Sequence, residues 1–293
     1  MLTCIRITLY DEPEKRVRRV KKRMKTLYVS DLDGTLLRST ESTSDYTNRT
    51  INTLVEKGML FSYATARSYS TSAKVTKGLS ARIPLIVYNG ALVIDNATGE
   101  ILLSNFFGDE ARDVLSDLIA HGVYPIVYSF VNGVEQFRYL PERCTSGVMD
   151  FVATRKGDRR DHPVQKEEEL FEGQIFYFAC IGDADKLAPL YEKYQKQYHA
   201  VYQRDIYSGE QWLELMPLAA SKSNAIRQLK EHLGCGRLVV FGDGKNDVDM
   251  FQLADESYAV ENAVDELKAA ATGVIASNDE DGVAKWLAEH AKI

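Results

Sequence analysis

Short apolar runs alternate with amphipathic stretches along most of the chain from Met24 onward. The run that begins at Leu27 is brief enough for a buried strand, and apolar residues at positions 51, 54 and 55 then recur at helical spacing. Residues 59–64 and 237–241 form further short apolar runs that suit buried strands. Because parallel strands buried on both faces have continuous apolar sequences, this rhythm predicts an α/β fold with a doubly wound, Rossmann-like parallel sheet.

The middle of the chain has a different pattern. Val131-Asn132-Gly133 separates two strand-like runs and is typical of a hairpin turn. A predicted helix over 186–194 lies among the strand-like runs of this region, which are residues 123–130, 134–140, 174–181, 199–204 and 211–215. Such an arrangement indicates a separate antiparallel α+β domain inserted into the parallel one.

These patterns divide the chain into three parts. We predict a core domain formed by residues 24–94 and 211–293, with an inserted α+β cap domain over residues 95–210. Residues 1–23 contain a basic run, with seven basic residues among the nine from Lys15 to Arg23. We expect this arm to lie outside the fold and Met24 to be the natural start. We also expect hinges near 92–96 and 206–212, at which the cap closes as a lid.

Composition narrows the class of protein. The chain has 293 residues, of which 45% are hydrophobic and 27% charged, as in ordinary globular proteins. Its net charge of -6 argues against nucleic acid as a partner, and no apolar run approaches the roughly 18 residues of a membrane span. The four cysteines are scattered without a Cys-x-x-Cys pair. We expect a cytoplasmic protein that is a monomer or a weak homodimer, with no membrane partner.

Two carboxylates follow the first predicted strand. Asp31 ends the strand, and the turn at Gly34 folds Asp33 over it. Carboxylates this close repel each other unless a cation or a shared proton relieves them, and Mg²⁺ prefers carboxylate ligands combined with phosphate oxygens. The alternative interpretation is an ordinary turn, since Asp and Gly are common turn residues.

A second carboxylate pair follows the strand at 237–241. Asp243 lies in the glycine-containing loop, and Asp247 begins the next predicted helix. Taken alone, this segment could be a turn whose Asp247 caps the helix. Together with Asp31 and Asp33, it predicts four carboxylates at one site that a bound cation reconciles.

Two further residues occupy positions suited to binding an anion. Thr65 closes the second strand, where its hydroxyl and the following helix start could hold a phosphate oxygen, although a plain helix N-cap is the alternative. Lys222 opens the helix that follows the insertion, and a cation at that end opposes the helix dipole. This position is explained if Lys222 faces a bound anion and carboxylates; the alternative is a solvent-exposed lysine.

These segments resemble, in order, the four motifs of the haloacid dehalogenase-like hydrolases. The form of the first motif and the large insertion are similar to the Cof-type subfamily of sugar-phosphate phosphatases, which has an α+β cap of subclass IIB. The motif residues are Asp31-Leu32-Asp33-Gly34-Thr35, Thr65, Lys222 and Gly242-Asp243-Gly244-Lys245-Asn246-Asp247. Further similar segments are Asn89-Gly90-Ala91, Trp212-Leu213-Glu214-Leu215-Met216-Pro217, Asn262-Ala263 and Glu280-Asp281-Gly282-Val283-Ala284.

The resemblance implies a role for each acidic residue. Asp31 is expected to be the nucleophile that becomes an aspartyl phosphate, and Asp33 the general acid and base. Mg²⁺ is the implied cofactor, held by the Asp31 carboxylate, the Asp33 backbone carbonyl and Asp243. Asp247 is expected to complete the metal site through hydrogen-bonded water.

The same resemblance implies a set of substrate-binding residues. Thr65 and Lys222 are expected to bind the transferring phosphoryl oxygens, with Lys222 also orienting the nucleophile. Asn246 is expected to contact phosphate or this lysine, and Arg67 and Asn89 to contact the substrate.

The implied activity is Mg²⁺-dependent hydrolysis of small phosphorylated metabolites, with sugar phosphates first and pyridoxal phosphate or flavin mononucleotide as alternatives. A phosphomutase and a non-catalytic phosphometabolite-binding regulator are weaker alternatives. One position departs from the family, which usually has Thr-Gly-Arg where this chain has Thr65-Ala66-Arg67. The added Cβ would matter if the backbone there needed a positive φ.

The insertion is rich in aromatic residues and contains a basic segment. Stacking on a sugar or a cofactor ring is one interpretation of these aromatic residues, and packing along the strands is the more common one. Arg155, Lys156, Arg159 and Arg160 could attract a phosphorylated substrate or form a solvated loop.

Overall fold

The structure, a computed structural model, describes residues 24–80, 82–204 and 209–293. The predicted arm at 1–23 and the proposed start at Met24 concern residues outside this part or at its edge, so both stay predictions. The described residues form two sheets, of eight and six strands.

The eight-stranded sheet has the order β14-β13-β12-β1-β2-β3-β4-β5. Parallel pairing joins β14 through β3, whereas β3, β4 and β5 pair antiparallel at one edge. Its strands are β1 (Thr26–Asp31), β2 (Leu60–Ala64), β3 (Pro84–Val87), β4 (Leu92–Asp95), β5 (Ile101–Ser104), β12 (Arg237–Gly242), β13 (Glu256–Val260) and β14 (Gly273–Ile275). Every residue of β1 is buried, as its continuous apolar pattern predicts.

The helices of this domain form two groups. Helix α1 packs against α9, while α6 packs against α7 and against β3, β4 and β5. Their bounds are α1 (Asp45–Glu56), α2 (Tyr69–Val75), α6 (Lys222–His232), α7 (Val248–Leu253), α8 (Asp265–Ala270) and α9 (Gly282–His290). The predicted α/β class with a parallel sheet is confirmed. None of the helices in the described residues has the length and apolar character needed to cross a bilayer.

The six-stranded sheet has the order β10-β11-β9-β6-β7-β8 and is antiparallel except between β7 and β8. Its strands are β6 (Ile126–Val131), β7 (Val134–Tyr139), β8 (Asp161–Pro163), β9 (Gln174–Gly182), β10 (His199–Arg204) and β11 (Gln211–Met216). The helices between them are α3 (Glu110–Ala120), α4 (Ser146–Ala153) and α5 (Ala184–Tyr194).

The two faces of this second sheet belong to different hydrophobic clusters. Leu213 and Leu215 of β11 pack in a cluster with apolar residues of α3 and α5. Trp212 and Met216, which alternate with them, belong to the cluster that continues into the eight-stranded sheet. Because successive side chains of a strand point to opposite faces, β11 presents residues 212, 214 and 216 toward the parallel domain.

The strand order corrects the predicted domain boundaries at both ends. Strand β5 belongs to the core sheet, so the insertion begins after Ser104 and not at residue 95. Strand β11 pairs with β9 and β10, so the second sheet extends to Met216 and not to residue 210. The apolar runs themselves were identified, but their pairing depends on contacts between distant residues. The predicted hinges at 92–96 and 206–212 overlap β4 and β11, and residues 205–208 lie outside the described part.

Candidate active site

The candidate site lies where the central parallel strands end. Strand β1 pairs with β2 on one side and β12 on the other, so residues 31, 65 and 243 lie at the ends of three neighbouring strands, on the same sheet edge. Asp31, the last residue of β1, has 5% of its surface exposed. A tight turn over Leu32–Leu36 comes next, in which Gly34 has a φ of 76°.

Three of the predicted carboxylates converge. Side-chain oxygens of Asp31, Asp243 and Asp247 all lie within 4.8 Å of one another. Two contacts hold Asp243 and Asp247 in place. Thr35 Oγ1 donates to Asp243 Oδ1 at 2.9 Å, and Asp247 Oδ2 accepts the backbone N–H groups of Asp243 and Gly244 at 3.1 Å each.

Lys222 lies against this group. Its Nζ is 2.5 Å from Asp31 Oδ1 and 2.8 Å from Asp247 Oδ1, and 2% of its side chain is exposed. The residue is first in α6, whose start is capped by the Ser221 side chain accepting from the Asn224 N–H. The alternative of a solvent-exposed lysine is therefore wrong.

Burial and mutual repulsion shift the protonation of these groups. Burial raises the pKa of Asp31 well above its usual range, and the negative charge of Asp247 adds to that rise while Lys222 opposes it. Burial also raises the pKa of Asp243, although the hydrogen bond from Thr35 opposes this. Burial disfavours the Lys222 ammonium, but Asp31 and Asp247 outweigh it, so the pKa of the lysine is raised.

The donor set fits a hard divalent cation. Three carboxylates meet, and within the described residues Lys222 is the cation in contact with Asp31 and Asp247. The cluster therefore has more negative than positive charge in a buried place. Mg²⁺ takes oxygen ligands, commonly one or two carboxylates with water and phosphate oxygens. Asp31, Asp243 and Asp247 are the side chains able to hold such an ion.

Glycine at position 34 is required by two separate features. Its positive φ is one that side-chain-bearing residues rarely adopt. A Cβ at this position would also collide with the Asp243 carboxylate. The Gly34 carbonyl in turn accepts a hydrogen bond from Asn262 Nδ2 at 2.8 Å, which fixes the turn beneath the carboxylates.

The Asp33 side chain lies apart from the other three. It is half exposed and forms an ion pair with Arg67, whose Nη2 lies 2.6 Å from Asp33 Oδ1. Arg67 Nε also contacts both carboxylate oxygens, at 3.0 and 2.9 Å. The sequence did not predict this pair, because nothing in the spacing of residues 33 and 67 indicates contact.

Three of the predicted substrate-binding residues line a cavity of about 710 Å³. Lys222, Asn246 and Asn89 line it, together with Ala66. Thr65 is 1% exposed, and its Oγ1 accepts the Arg67 backbone N–H at 3.1 Å.

Two features at this edge of the sheet refine the sequence interpretation. Ala66 is not among the residues with positive φ, so its Cβ introduces no backbone strain. Thr35 and Asn262 support the site, and sequence reasoning gave them no role. Both lie within segments that resembled the family, which was the available signal.

Comparison with known proteins agrees with this geometry. A family model described as haloacid dehalogenase-like hydrolase matches residues 28–287. A Bacillus subtilis protein named as a 5-amino-6-(5-phospho-D-ribitylamino)uracil phosphatase is 30% identical over 278 residues, covering 88% of this chain and 95% of that protein.

Solved structures share the fold. TM0651 from Thermotoga maritima has a TM-score of 0.72 at 25% identity, covering 92% of this chain and 99% of that one. A haloacid dehalogenase-like hydrolase from Bacteroides thetaiotaomicron has a TM-score of 0.71 at 23% identity, covering 90% and 99%. The family match spans nearly all of both domains, and with it the expectation of an enzyme is confirmed: the chain belongs to the haloacid dehalogenase-like hydrolases.

Proposed function

We propose that this hydrolase is a Mg²⁺-dependent phosphatase of small phosphorylated metabolites that works through an aspartyl phosphate on Asp31. The observation that carries the proposal is the contact of Lys222 with both Asp31 and Asp247, beside Asp243. A nucleophilic carboxylate, a buried cation and two further carboxylates then share one small volume. Hydrolysis of phosphate monoesters is among the slowest uncatalysed reactions, so it requires such concentrated electrostatic stabilisation.

In the first step, an Asp31 carboxylate oxygen forms a bond to phosphorus as the bond from phosphorus to the alcohol oxygen breaks. Asp33 donates its proton to the departing alkoxide, which leaves as an alcohol. In the second step, Asp33 takes a proton from water as the water oxygen attacks phosphorus, releasing phosphate and restoring Asp31. Lys222 holds Asp31 in position throughout.

Asp31, Asp243 and the Asp33 backbone carbonyl would hold Mg²⁺, supported by Asp247, and the bound ion would supply positive charge against the transferring phosphoryl oxygens. Lys222 supplies a second positive charge from the protein itself. Together they offset the three carboxylates that otherwise repel an anionic substrate.

The Arg67–Asp33 pair gives the general acid a defined position. Asp33 has a half-exposed side chain at the mouth of the site, and Arg67 holds it from the end of the neighbouring strand. Arg67 also lines the cavity on that side, so a phosphate ester bound there lies against the guanidinium that holds Asp33.

The substrates we favour are esters of sugars and sugar alcohols. The Bacillus subtilis relative is named for an ester whose phosphate is carried on a ribityl chain, and it matches this chain along nearly its full length. Pyridoxal phosphate and flavin mononucleotide remain the alternatives within the same reaction class.

A phosphate-release screen tests the proposal. The purified protein is incubated with sugar phosphates, sugar-alcohol phosphates, pyridoxal phosphate and flavin mononucleotide, with and without Mg²⁺. We expect release that requires Mg²⁺ and that disappears in Asp31→Asn. Activity of Asp31→Asn equal to that of the wild type would refute the mechanism. Transfer of phosphate to another position of the sugar, with no free phosphate, would identify a phosphomutase.

A further inference from the structure

A second cavity, of about 380 Å³, adjoins the one that contains Lys222. Ala66 and Glu214 belong to the walls of both, so the two spaces form one continuous cleft between the core and the cap. One end holds Lys222, Asn89 and Asn246, and the other end begins at Arg67.

Aromatic rings form the wall of this second cavity. Tyr88 comes from the core, whereas Tyr128, Phe151, Tyr177 and Trp212 come from the cap. Phe151 and Trp212 meet edge to face, with ring centroids 5.0 Å apart. These side chains come from distant segments, so the fold and not any local sequence pattern creates an aromatic enclosure.

Glu214 is a buried carboxylate at the junction of the two cavities. It is 8% exposed, and its Oε1 accepts a hydrogen bond from the Tyr177 hydroxyl. Within residues 24–80, 82–204 and 209–293, its Oε2 has no hydrogen-bond partner. Because Glu214 lines both cavities, this oxygen is available to accept a hydrogen bond from a group bound in the cleft.

Trp212 presents a second unmatched polar group. Its indole Nε1 is buried and makes no hydrogen bond in the described part of the chain. Trp212 and Glu214 are two positions apart on β11, so their side chains leave the same face of the sheet. Both residues line the aromatic cavity.

We propose that Glu214 determines specificity by accepting hydrogen bonds from hydroxyl groups of the ester, and that the aromatic cavity beyond it binds a planar ring carried by the same substrate. This inference rests on the proposed phosphatase function and names its substrate class. The substrate is a phosphorylated polyol joined to a neutral or anionic heterocycle. A cationic ring is disfavoured because Arg155 and Arg160 line the same cavity.

The order of groups along the cleft matches such a molecule. The phosphate end lies at Lys222, the hydroxyl-bearing carbons pass Glu214, and the ring reaches Phe151 and Trp212.

Matched esters separate the two parts of the proposal. Flavin mononucleotide and ribitol 5-phosphate share the polyol phosphate and differ in the ring, and phenyl phosphate lacks hydroxyl groups. We expect Glu214→Gln to lower kcat/KM for ribitol 5-phosphate about 10- to 100-fold and to change that for phenyl phosphate less than about twofold. Glu142→Gln, at an exposed cap residue outside both cavities, is the control and should change neither.

The ring site is tested with Phe151→Leu. Loss of one stacking partner should reduce the preference for flavin mononucleotide over ribitol 5-phosphate about 10-fold. Because each result is a ratio between two esters on the same variant, a general loss of folded protein does not change it. Equal losses for phenyl phosphate in Glu214→Gln, or an unchanged ester ratio in Phe151→Leu, would overturn the inference.

A binding measurement distinguishes failure of the inference from failure of the phosphatase proposal. Flavin emission is recorded as flavin mononucleotide is added to Asp31→Asn with Mg²⁺, since stacking on aromatic rings quenches it. We expect quenching that weakens about 10-fold when Phe151→Leu or Glu214→Gln is added. Quenching without hydrolysis of any ester by the wild type would refute the phosphatase and support the ring site. Hydrolysis without any quenching would support the phosphatase and refute the ring site.

Discussion

Replacing Lys222 with methionine removes the cation that contacts two buried carboxylates while keeping a side chain of similar length. All three side chains are more than nine-tenths buried, and Nζ lies 2.5 Å from Asp31 and 2.8 Å from Asp247. Removing one partner of a buried ion pair costs about 3–5 kcal/mol, because the charge left behind is neither solvated nor paired. We therefore expect Lys222→Met to lower the free energy of unfolding by about that amount when no metal is present.

The Asp247→Asn change should partly rescue this variant. It removes a negative charge that otherwise faces Asp31 without compensation. The double variant should be more stable than the sum of the two single changes by about 0.5–3 kcal/mol. Additive effects would mean that Lys222 and Asp247 are not coupled in solution.

Urea unfolding at neutral pH with a chelator measures these differences. With a slope near 3 kcal/mol per molar urea, the Lys222→Met midpoint should fall by about 1–1.7 M. Unfolding is followed by tryptophan fluorescence in a Trp212→Phe background. This change removes the tryptophan of the cap, so the remaining signal comes from Trp286 in α9 of the core domain. This separation matters because two domains need not unfold in one step.

Lys230→Met on the same helix is the matched control. Lys230 Nζ lies 3.5 Å from Asp255, and both side chains are partly exposed. Exposed pairs contribute about 0–1 kcal/mol, so this midpoint should move by less than about 0.3 M. Similar shifts for Lys222→Met and Lys230→Met would refute the idea that a buried charge cluster organises the site.

Three other outcomes follow from the structure. Gly34→Ala should abolish phosphate release, because the new Cβ collides with Asp243. The control is Gly99→Ala, where φ is also 76° and a Cβ would meet no atom within 4 Å. This control should lose only about 1–2 kcal/mol of stability and keep full activity. Mg²⁺ at 100 times its dissociation constant should raise the melting temperature by roughly 5–10 °C, and Asp243→Asn should remove this shift; an equal shift in that variant would contradict the assigned ligands. Burial opposes ionisation of Asp281, but its hydrogen bonds, led by that from Arg38, outweigh burial and lower its pKa. The ionised carboxylate therefore contributes to folding stability above the pKa of the unfolded state, and this contribution disappears as pH falls through the pKa of the folded state. Asp281→Asn should therefore destabilise the protein most at neutral pH, with a difference from wild type that shrinks below about pH 4 in thermal melts; a difference that did not depend on pH would contradict this.

Much of the site could be predicted from sequence because parallel strands bring their carboxyl ends to one edge. An apolar run followed by Asp31, and another followed by Asp243, are local patterns. Once both runs are placed in one parallel sheet, the meeting of these residues follows from the fold class. Lys222 was identified in the same way, from a cation at a helix start that required a nearby anion.

Features that depend on side-chain direction or strand order could not be predicted. The pairing of Asp33 with Arg67 depends on how the turn at Gly34 aims one carboxylate away from the other three. Strand β5 has an apolar pattern that suits either domain, and only its pairing with β4 assigns it to the core sheet. The aromatic cavity combines segments that lie between residues 66 and 214, which no local periodicity reports.

Both segments that connect the core to the inserted domain lie beside α6. Asn105, just after β5, exchanges amide hydrogen bonds with Gln228 at 3.2 and 3.1 Å. Ala220, just before the helix, accepts a hydrogen bond from His199 Nδ1. An insertion tethered at neighbouring points of one helix can be lengthened, trimmed or exchanged while the order of the parallel strands stays the same. Proteins that descend from such a gene can thus acquire new ester substrates through changes in the inserted domain, while the residues that transfer the phosphoryl group stay the same.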